Sequence, residues 1–337
     1  MSQTERRRPT IEDVAREARV SRATVSRVLN GATWVSEDAA VRVRSAIKKT
    51  GYRINAHARS LATRRAGSVA LLLTESHERF FEDPNFSLIM RSASTALAER
   101  EFQLLLILAD TTVEQRRAVD FMTAGHVDGA LVLSGHRDRL SFLDDLLRAE
   151  VPLIAVGAPL GFERRVAFVQ AEDLEGARTM TRYLLGAGRR RIAHIAGPQD
   201  TSGGTGRLAG YRAELGDDFD ERLVAVGDYS RSSGVAAMTE LLGRGVDFDA
   251  VFVANDLMAA GALEVLATAG KRVPDDVAVA GFDDSPVARQ TDPELTTMRQ
   301  PFERIAQEMV RVLLEMIDGR SPARVSLPTE LVVRGSA

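Results

Sequence analysis

The chain has 337 residues, 45% of them apolar and 27% charged, which is enough for two or three domains of ordinary globular composition. It has no cysteine, which excludes disulfides and thiolate metal sites, and its formal net charge is only −3. No apolar segment follows the charged start and no apolar run reaches membrane-spanning length, so we expect a cytoplasmic protein with no membrane partner.

Charge is distributed unevenly along the chain. Residues 1–65 hold 15 Arg or Lys against 6 Asp or Glu, a balance of +9 that leaves −12 for the remainder. A basic head attracts the phosphates of DNA, while an acidic body avoids wrapping it nonspecifically. A solvated basic tail is the alternative, but these charges lie on patterned helices with apolar faces.

Residues 10–30 read as two short helices joined by a tight turn at Arg19 and Val20. Thr10 and Ser21 are good N-cap residues, and apolar residues follow each of them at helical spacing. Such a unit places its second helix in the DNA major groove, although a helical hairpin of an unrelated domain is the alternative. Four residues point outward near the start of the second helix and are candidates for reading bases: Arg22, Ala23, Ser26 and Arg27.

A third helix is predicted to start at Ser36 and to stop at Gly51, and a linker follows it. In this linker Asn55 can cap a short helix that ends near Leu61 and Ala62. An exposed leucine at that position can enter the minor groove as a wedge, and packing against the first domain is the alternative.

From Ser68 onward, short apolar runs alternate with helical patterns. The runs at 69–73, 104–108, 129–133 and 152–156 form one series, and those at 191–197, 223–227, 249–256 and 277–284 form a second. Strands spaced by helices predict parallel sheets, and two series suggest two lobes. The predicted fold class is therefore α/β: an all-α head with a hinge helix, then two doubly wound parallel sheets.

Ligands of open parallel sheets bind beyond the carboxyl ends of the strands. Polar residues at those ends can hold vicinal hydroxyls, and they include Ser134, His136, Glu172, Asp173, Arg207, Asn255, Asp256, Asp283 and Asp284. Aromatic rings that can cover an apolar sugar face are Phe81, Phe86, Tyr229 and Phe302. For Asp256 and Asp284, helix capping is the alternative role.

Several motifs occur together from about Pro9 to Arg334 in the order typical of one family. They are TIEDVA, VSRATVSRVLNG, NAHARSLA, RIAHIAGP, GRLAGY, VFVANDLMAAGAL, VAVAGFDD and LTTMRQPF. By these motifs the chain resembles the lactose and galactose repressor (LacI/GalR) family. The resemblance implies a DNA-binding head at 1–54, a hinge helix and linker at 55–66, and an effector-binding, dimerising body at 67–337. The body resembles a periplasmic sugar-binding protein, with lobe one at about 67–168 and 298–325 and lobe two at about 169–297 and 326–337.

The resemblance also implies roles for individual residues. The DNA-contacting candidates are Thr10, Ser21, Arg22, Ala23, Thr24, Ser26, Arg27, Asn30, Asn55, Ala58 and Leu61. The effector-contacting candidates are Phe81, Ser134, Glu172, Arg207, Tyr229, Asn255, Asp283 and Phe302. The chain departs from the family at Arg19, where Gly is common, and at Ile54, where Pro often precedes the hinge asparagine. A non-glycine residue at left-handed angles costs about 1 to 2 kcal/mol.

The expected function is that of a sequence-specific transcriptional regulator. We expect a homodimeric repressor that binds a near-palindromic operator and is released from it by a small effector, most simply a saccharide. A regulator whose ligand promotes DNA binding is the alternative within this class. A sugar carrier or an enzyme is the alternative from another class, but the motifs GxxxxGK[ST], HExxH and GxSxG are absent and the five histidines show no metal-ligand spacing. We therefore expect no cofactor, no metal and no catalytic residue.

Overall fold

The computed structural model describes residues 9–29, 34–52, 65–133 and 135–337. The chain divides into two compact units, Met1–Ala66 and Gly67–Ala337, which we call the N-terminal and C-terminal units. Most of the predicted hinge at 55–66 lies outside the described residues, as do Asn30, Asn55, Ala58, Leu61 and Ser134.

The N-terminal unit contains three described helices: α1 (Ile11–Ala18), α2 (Arg22–Leu29) and α3 (Glu37–Thr50). One fully buried valine from each helix, Val14, Val25 and Val43, forms the centre of its core. An exposed ion pair of 2.6 Å between Lys49 Nζ and Glu17 Oε1 connects α3 to α1. The three helices thus pack around one small apolar core, as the spacing of their apolar residues predicts.

The turn between α1 and α2 has the geometry that the sequence suggests. Thr10 N–H donates to Asp13 Oδ2 at 2.9 Å, and the Thr10 hydroxyl donates to the same oxygen. Arg19 ends α1 in the left-handed region, at φ 52° and ψ 47°. The N–H of Val20 donates to Ala15 O at 3.1 Å, which closes the end of the helix.

The C-terminal unit contains two six-stranded sheets. The strands are β1 (Ser68–Leu73), β2 (Gln103–Leu108), β3 (Gly129–Leu133), β4 (Leu153–Val156), β5 (Ala167–Ala171), β6 (Ile192–Ala196), β7 (Val224–Val226), β8 (Ala250–Val253), β9 (Ala278–Asp283), β10 (Thr296–Arg299), β11 (Arg324–Leu327) and β12 (Glu330–Val332). The order is β11-β5-β4-β3-β1-β2 in sheet one and β12-β10-β9-β8-β6-β7 in sheet two. We call each sheet with its helices a lobe.

Helices cover both faces of each sheet. They are α4 (His77–Glu82), α5 (Pro84–Ala98), α6 (Thr112–Phe121), α7 (Phe142–Arg148), α8 (Asp173–Gly186), α9 (Ser202–Leu215), α10 (Arg231–Gly243), α11 (Asp256–Thr268) and α12 (Phe302–Ile317). Along β1, Leu71 packs into one core and Leu72 into another, because successive side chains of a strand point to opposite faces. Buried layers on both faces confirm the predicted doubly wound α/β fold.

One strand corrects the expectation of two purely parallel sheets. The edge strand β12 runs antiparallel to β10, with Thr297 opposite Val332 and Met298 opposite Leu331. A connection of two residues joins β11 in sheet one to β12 in sheet two, so β12 enters sheet two from the other lobe and not through a strand–helix–strand crossover within sheet two.

The chain passes between the lobes three times, after β5, after β10 and after β11. The boundaries expected near 168, 297 and 325 fall inside these three strands, so we place them instead in the connections that follow each strand. Among the described residues, no helix is long and apolar enough to cross a membrane.

Candidate functional site

The start of α2 presents an exposed polar surface. Ser21 caps this helix, since its Oγ accepts the amide N–H of Thr24 at 3.1 Å. Arg22, Ala23 and Arg27 are exposed, whereas Thr24 and Ser26 are half-buried. The guanidinium of Arg22 lies 3.4 Å from Glu12 on α1, and its side chain is 73% exposed. The structure therefore brings the predicted residues of α2 together on one accessible face.

Arg27 has a neighbour that the sequence did not indicate. Its guanidinium carbon lies 4.5 Å from the ring centroid of Trp34, in a cation–π arrangement, and Trp34 itself is 70% exposed. A tryptophan that is exposed yet stacked on an arginine restricts the conformations of that arginine. Thr10 is half-buried and its hydroxyl is engaged with Asp13, so its visible role is to cap α1.

The C-terminal unit contains a cavity of about 180 Å³ between its two lobes, at the carboxyl ends of the parallel strands. Five of the predicted effector residues line it: Arg207, Tyr229, Asn255, Asp283 and Phe302. They come from four separate segments of lobe two and from the start of α12 in lobe one. The rule that ligands bind beyond the strand ends therefore locates this cavity correctly.

Arg207 on α9 is the central cation of the cavity. Its Nε donates to Asp173 Oδ1 at 2.8 Å, and its Nη1 donates to the backbone oxygen of Ala254 at 2.5 Å. The guanidinium also lies 3.9 Å from the ring centroid of Phe282 and 3.8 Å from Asp283 Oδ1. A buried arginine held by two carboxylates and a carbonyl is fixed in place and permanently charged.

Asp283 is the last residue of β9 and has a left-handed backbone, with φ at 118°. Its Oδ2 accepts Asn85 Nδ2 at 2.9 Å, and its Oδ1 accepts Gln300 Nε2 at 2.6 Å. Burial raises the pKa of Asp283 to about 7, although the guanidinium of Arg207 opposes the shift. Because Asn85 belongs to lobe one, this carboxylate is hydrogen-bonded across the cleft.

Asn255 performs two tasks. Its Oδ1 accepts the N–H of Met258 at 3.0 Å and caps α11, while its Nδ2 donates to Tyr229 O at 2.9 Å. Tyr229 has φ at 72°, and its hydroxyl lies 3.4 Å from Thr201 Oγ1. A side chain on Gly197 would come within 2.5 Å of the Tyr229 ring, so glycine is required there for the ring to form a wall of the cavity.

Lobe one contributes a charged wall that the sequence did not single out as a unit. Glu75, Arg79 and Asp83 are spaced four residues apart, and Arg79 lies 3.6 Å from Glu75 and 3.7 Å from Asp83. Hydrogen bonding and charge from His136 lower the pKa of Glu75 against the opposing effect of burial. Burial raises the pKa of Asp83.

His136 lies between the two lobes. Its Nδ1 is 2.9 Å from Asp200 Oδ2 in lobe two, and its Nε2 is 3.5 Å from Glu75 Oε2 in lobe one. Hydrogen bonding to Glu75 is the largest cause of a raised pKa at His136, with Asp200 adding to it. The N–H of Arg137 also donates to Asp200 O at 2.9 Å. These contacts connect the lobes at a second place besides Asn85 and Asp283.

Two predicted effector residues do not line the cavity. Phe81 is 79% exposed, because it lies on the solvent side of α4, whereas Phe86 lines the cavity. Glu172 is exposed at the residue before α8, and its neighbour Asp173 faces the cavity in its place. The difference between Glu172 and Asp173 follows from a helical turn, in which neighbouring residues point in different directions. The effector contacts of Phe81 and Glu172 stay predictions.

The structure gives specific contacts for the two residues with alternative roles, Asp256 and Asp284. Asp256 is the first residue of α11 rather than its cap. It is fully buried and accepts Thr297 Oγ1 at 2.6 Å and the N–H of Ser285 at 2.7 Å. Asp284 pairs with Arg299 at 2.7 Å and with Arg334, away from the cavity. Among the residues described, no group of three or more His, Asp or Glu side chains could hold a metal ion.

Comparison with protein families gives two matches. Residues 10–55 match the model of bacterial regulatory proteins of the lacI family, and residues 181–337 match a periplasmic binding protein-like domain. Among curated proteins, the chain is 46% identical to the HTH-type transcriptional regulator CelR of Thermobifida fusca over 339 aligned positions, covering 98% of this chain and 99% of that protein. It is 34% identical to the ribose operon repressor of Escherichia coli (strain K12), covering 97% and 99%.

Solved structures of related proteins have the same architecture. The complex of the transcriptional regulator CelR with cellobiose aligns with a TM-score of 0.78 at 44% identity, covering 98% of this chain and 100% of that one. The lac repressor dimer bound to operator and the anti-inducer ONPF aligns with a TM-score of 0.85 at 27% identity, covering 98% and 99%.

Proposed function

Because the chain belongs to the LacI family of bacterial regulatory proteins and is a DNA-binding transcriptional regulator, we propose that it is a homodimeric repressor whose operator affinity is set by a saccharide bound between its lobes. The observation that carries this proposal is the cavity around Arg207, Asn255 and Asp283. Guanidinium, amide and carboxylate groups converge there beside the Tyr229 and Phe302 rings, which is the combination that polyhydroxylated rings require.

Cellobiose is the first effector to test. A solved structure of the related CelR is a complex with cellobiose, and its 44% identity extends over nearly the whole of both chains. The cavity of this chain offers hydrogen-bonding groups on both lobes, so a ligand that bridges them favours one relative orientation of the lobes. Effector binding then shifts the population towards that orientation at the expense of the one that binds operator.

A dimer is proposed from the edge of sheet one as well as from the family. Strand β2 is an edge strand, and it exposes Leu105 and Leu106, while Phe121 at the end of α6 is also exposed. An apolar edge strand that faces water is a template for association, and a second copy of the chain would cover it. Two heads in a symmetric dimer match a near-palindromic operator.

The proposal includes the absence of an enzymatic role. The described charged residues of the cavity are engaged with one another, and the relatives are regulators rather than enzymes. Action in the cytoplasm, where the operator DNA is, follows from the same proposal.

The test is operator release. Fluorescence anisotropy with a labelled operator should show tight binding by the native protein and release by cellobiose or by another saccharide found in a thermal-shift screen. Arg207→Ala should bind operator and ignore the saccharide, because Asp173 and Asp283 lose the cation that holds them together. Arg212→Ala, on an exposed position of the same helix, is the matched control and should respond normally.

Three results would count against the proposal. Saccharide that strengthens operator binding would indicate a ligand-promoted regulator instead. Saccharide turnover without operator affinity would indicate an enzyme. Retained response in Arg207→Ala would show that the effector binds elsewhere.

A further inference from the structure

The cavity contains cations, yet in the described part of the chain each of them is already matched by carboxylates of this protein. The positively charged or protonatable lining residues are Arg79, Arg207 and His136. Four acidic residues line the same cavity: Glu75, Asp83, Asp173 and Asp283. The charge of the wall therefore does not favour an anionic ligand.

The charge of Arg79 is already compensated by two carboxylates and a backbone carbonyl of this protein. Its Nε lies 3.6 Å from Glu75 Oε2, and its Nη2 lies 3.7 Å from Asp83 Oδ2. The remaining Nη1 donates to the backbone oxygen of Asp228 at 2.7 Å. Glu75 precedes Arg79 by four residues and Asp83 follows it by four, so one carboxylate lies on each side of the guanidinium.

Arg207 is matched in the same way from lobe two. Asp173 accepts its Nε at 2.8 Å, and Asp283 lies 3.8 Å from its Nη1, so one cation faces two acidic side chains. All three side chains are largely buried, at 7 to 15% exposure. A second anion brought beside them would be poorly solvated and would meet like charges.

The helix that starts at the cavity is also compensated. Thr201, Ser202 and Gly203 of the α9 N-terminus line the cavity, and a helix N-terminus ordinarily attracts anions. Here Thr201 Oγ1 accepts the N–H of Gly204 at 3.1 Å. Asp200, one residue before this cap, places a carboxylate at the same helix end and also engages His136.

From these pairings we propose that the cavity selects uncharged saccharides and rejects phosphorylated or carboxylated ones, with Glu75 and Asp83 as the residues that set this selectivity. The inference rests on the proposed function, because it assumes that this cavity is the effector site. Sugar hydroxyls both donate and accept, so they bind to paired carboxylates and guanidinium groups without separating them. A phosphate beside Arg79 would compete with Glu75 and Asp83 for its charge and would be repelled by both carboxylates.

The first experiment compares matched ligands by calorimetry at constant ionic strength: cellobiose with cellobionate, glucose with glucose 6-phosphate, and inorganic phosphate alone. The neutral member of any pair that binds should bind at least about 100-fold more tightly than its anionic counterpart, and phosphate should not bind to the native protein. An anionic member that binds as tightly as its neutral partner would overturn the proposal.

The second experiment changes the wall. Glu75→Gln and Asp83→Asn each free part of Arg79, so each should improve the ratio of anionic to neutral affinity by about tenfold or more and should allow phosphate to bind. Glu82→Gln is the matched control, because Glu82 is an exposed carboxylate on α4, the helix that carries Arg79. Its loss should leave the ratio of anionic to neutral affinity unchanged. Two variants are used so that one misfolded protein, detected by circular dichroism, does not decide the result.

Binding of inorganic phosphate tests this inference independently of the proposed function. If no saccharide binds, the proposed function is wrong, but phosphate still tests the wall. Phosphate that binds the native protein and is lost in Arg79→Gln would refute the selectivity. If phosphate binds neither the native protein nor the two wall variants, the roles assigned to Glu75 and Asp83 are wrong.

Discussion

Arg19 is a residue whose backbone conformation conflicts with its side chain. It adopts φ 52° and ψ 47° at the end of α1, a region that costs a residue with a Cβ about 1 to 2 kcal/mol. Its side chain is exposed and contributes nothing to the buried core of the N-terminal unit. The strain that the sequence suggested is therefore present and is not offset by packing.

Arg19→Gly should stabilise the N-terminal unit. Glycine removes the left-handed penalty but loses about 0.5 to 1 kcal/mol through greater freedom when unfolded, so the net gain should be about 1 kcal/mol. Trp34 is the single tryptophan of the chain and lies in this unit, so its fluorescence during urea unfolding reports the change directly. Arg16→Gly, inside the same helix, should instead destabilise by about 1 kcal/mol. Equal effects of both substitutions would contradict this account.

At the scale of single elements, α2 combines a capped start with an exposed row of potential base contacts. Arg27 has a donor fork that matches the O6 and N7 acceptors of guanine, and its stacking on Trp34 limits its freedom before DNA arrives. Base-reading side chains work best when little conformational entropy is lost on binding.

Arg27→Ala should weaken specific operator binding by about 1 to 3 kcal/mol and relax the preference at one base pair. Titration of a labelled operator and of its single-base variants measures both effects. Arg16→Ala on α1 removes the same charge from an exposed position and should leave the base preference unchanged. An unaltered base preference in Arg27→Ala would show that α2 does not read DNA through this residue.

Strand β6 contains a fully buried histidine in the core of lobe two. The ring of His194 stacks between Tyr211 and Phe252, with centroids 4.8 Å from each, and its Nδ1 lies 2.8 Å from the backbone oxygen of Phe252. Its Nε2 has no hydrogen-bond partner among the described residues. Burial lowers the pKa of His194 to about 4, so the folded protein keeps this ring neutral.

This depressed pKa predicts a loss of stability in acid. Between pH 6.5 and 4 the unfolded chain binds a proton at His194 that the folded chain does not, so the free energy of unfolding falls as the pH falls. The contribution amounts to about 3 kcal/mol by pH 4. Urea unfolding across this range should show a steeper decline for the native protein than for His194→Gln. His77→Gln, at an exposed histidine, should follow the native curve. Parallel curves for the native protein and His194→Gln would contradict the prediction.

At the scale of the whole molecule, the proposed dimer depends on the exposed edge of sheet one. Leu106→Glu should shift the protein from dimer to monomer in sedimentation experiments, and operator affinity should fall with it, because two linked heads bind more tightly than one. Leu174→Glu, at an exposed leucine on α8 of lobe two, is the control and should stay dimeric. If Leu106→Glu remains a dimer, the contact between copies lies elsewhere.

Hydrophobic pattern was enough to predict most of the C-terminal unit. The apolar runs of β1, β3 and β8 are buried on both faces and stand out in the sequence. Strand β10 could not be recognised in this way, because its buried Thr296 and Thr297 are polar. Both form hydrogen bonds to partners that are distant in the sequence. Side-chain bonds over such separations leave no periodic signal.

Only some of the residues that line the cavity could be predicted from the sequence. Arg207, Asn255 and Asp283 follow or face recognisable strand ends, so motifs and topology locate them. Glu75 and Asp83 depend on the path of the segment after β1, which the hydrophobic pattern does not define. Asp173 rather than Glu172 faces the cavity because one residue at a helix start changes the side-chain direction by about 100°.

Three side-chain contacts between the lobes, Asn85 with Asp283, His136 with Asp200 and Arg79 with the backbone of Asp228, affect the rate at which a ligand can leave. A ligand enclosed between lobes that touch at these places can leave only after the contacts break. Its release is then governed by the rate at which the lobes separate, and not by the strength of its own hydrogen bonds alone. Two saccharides of different affinity that share this barrier would dissociate at similar rates, so their difference would appear mainly in how fast they enter.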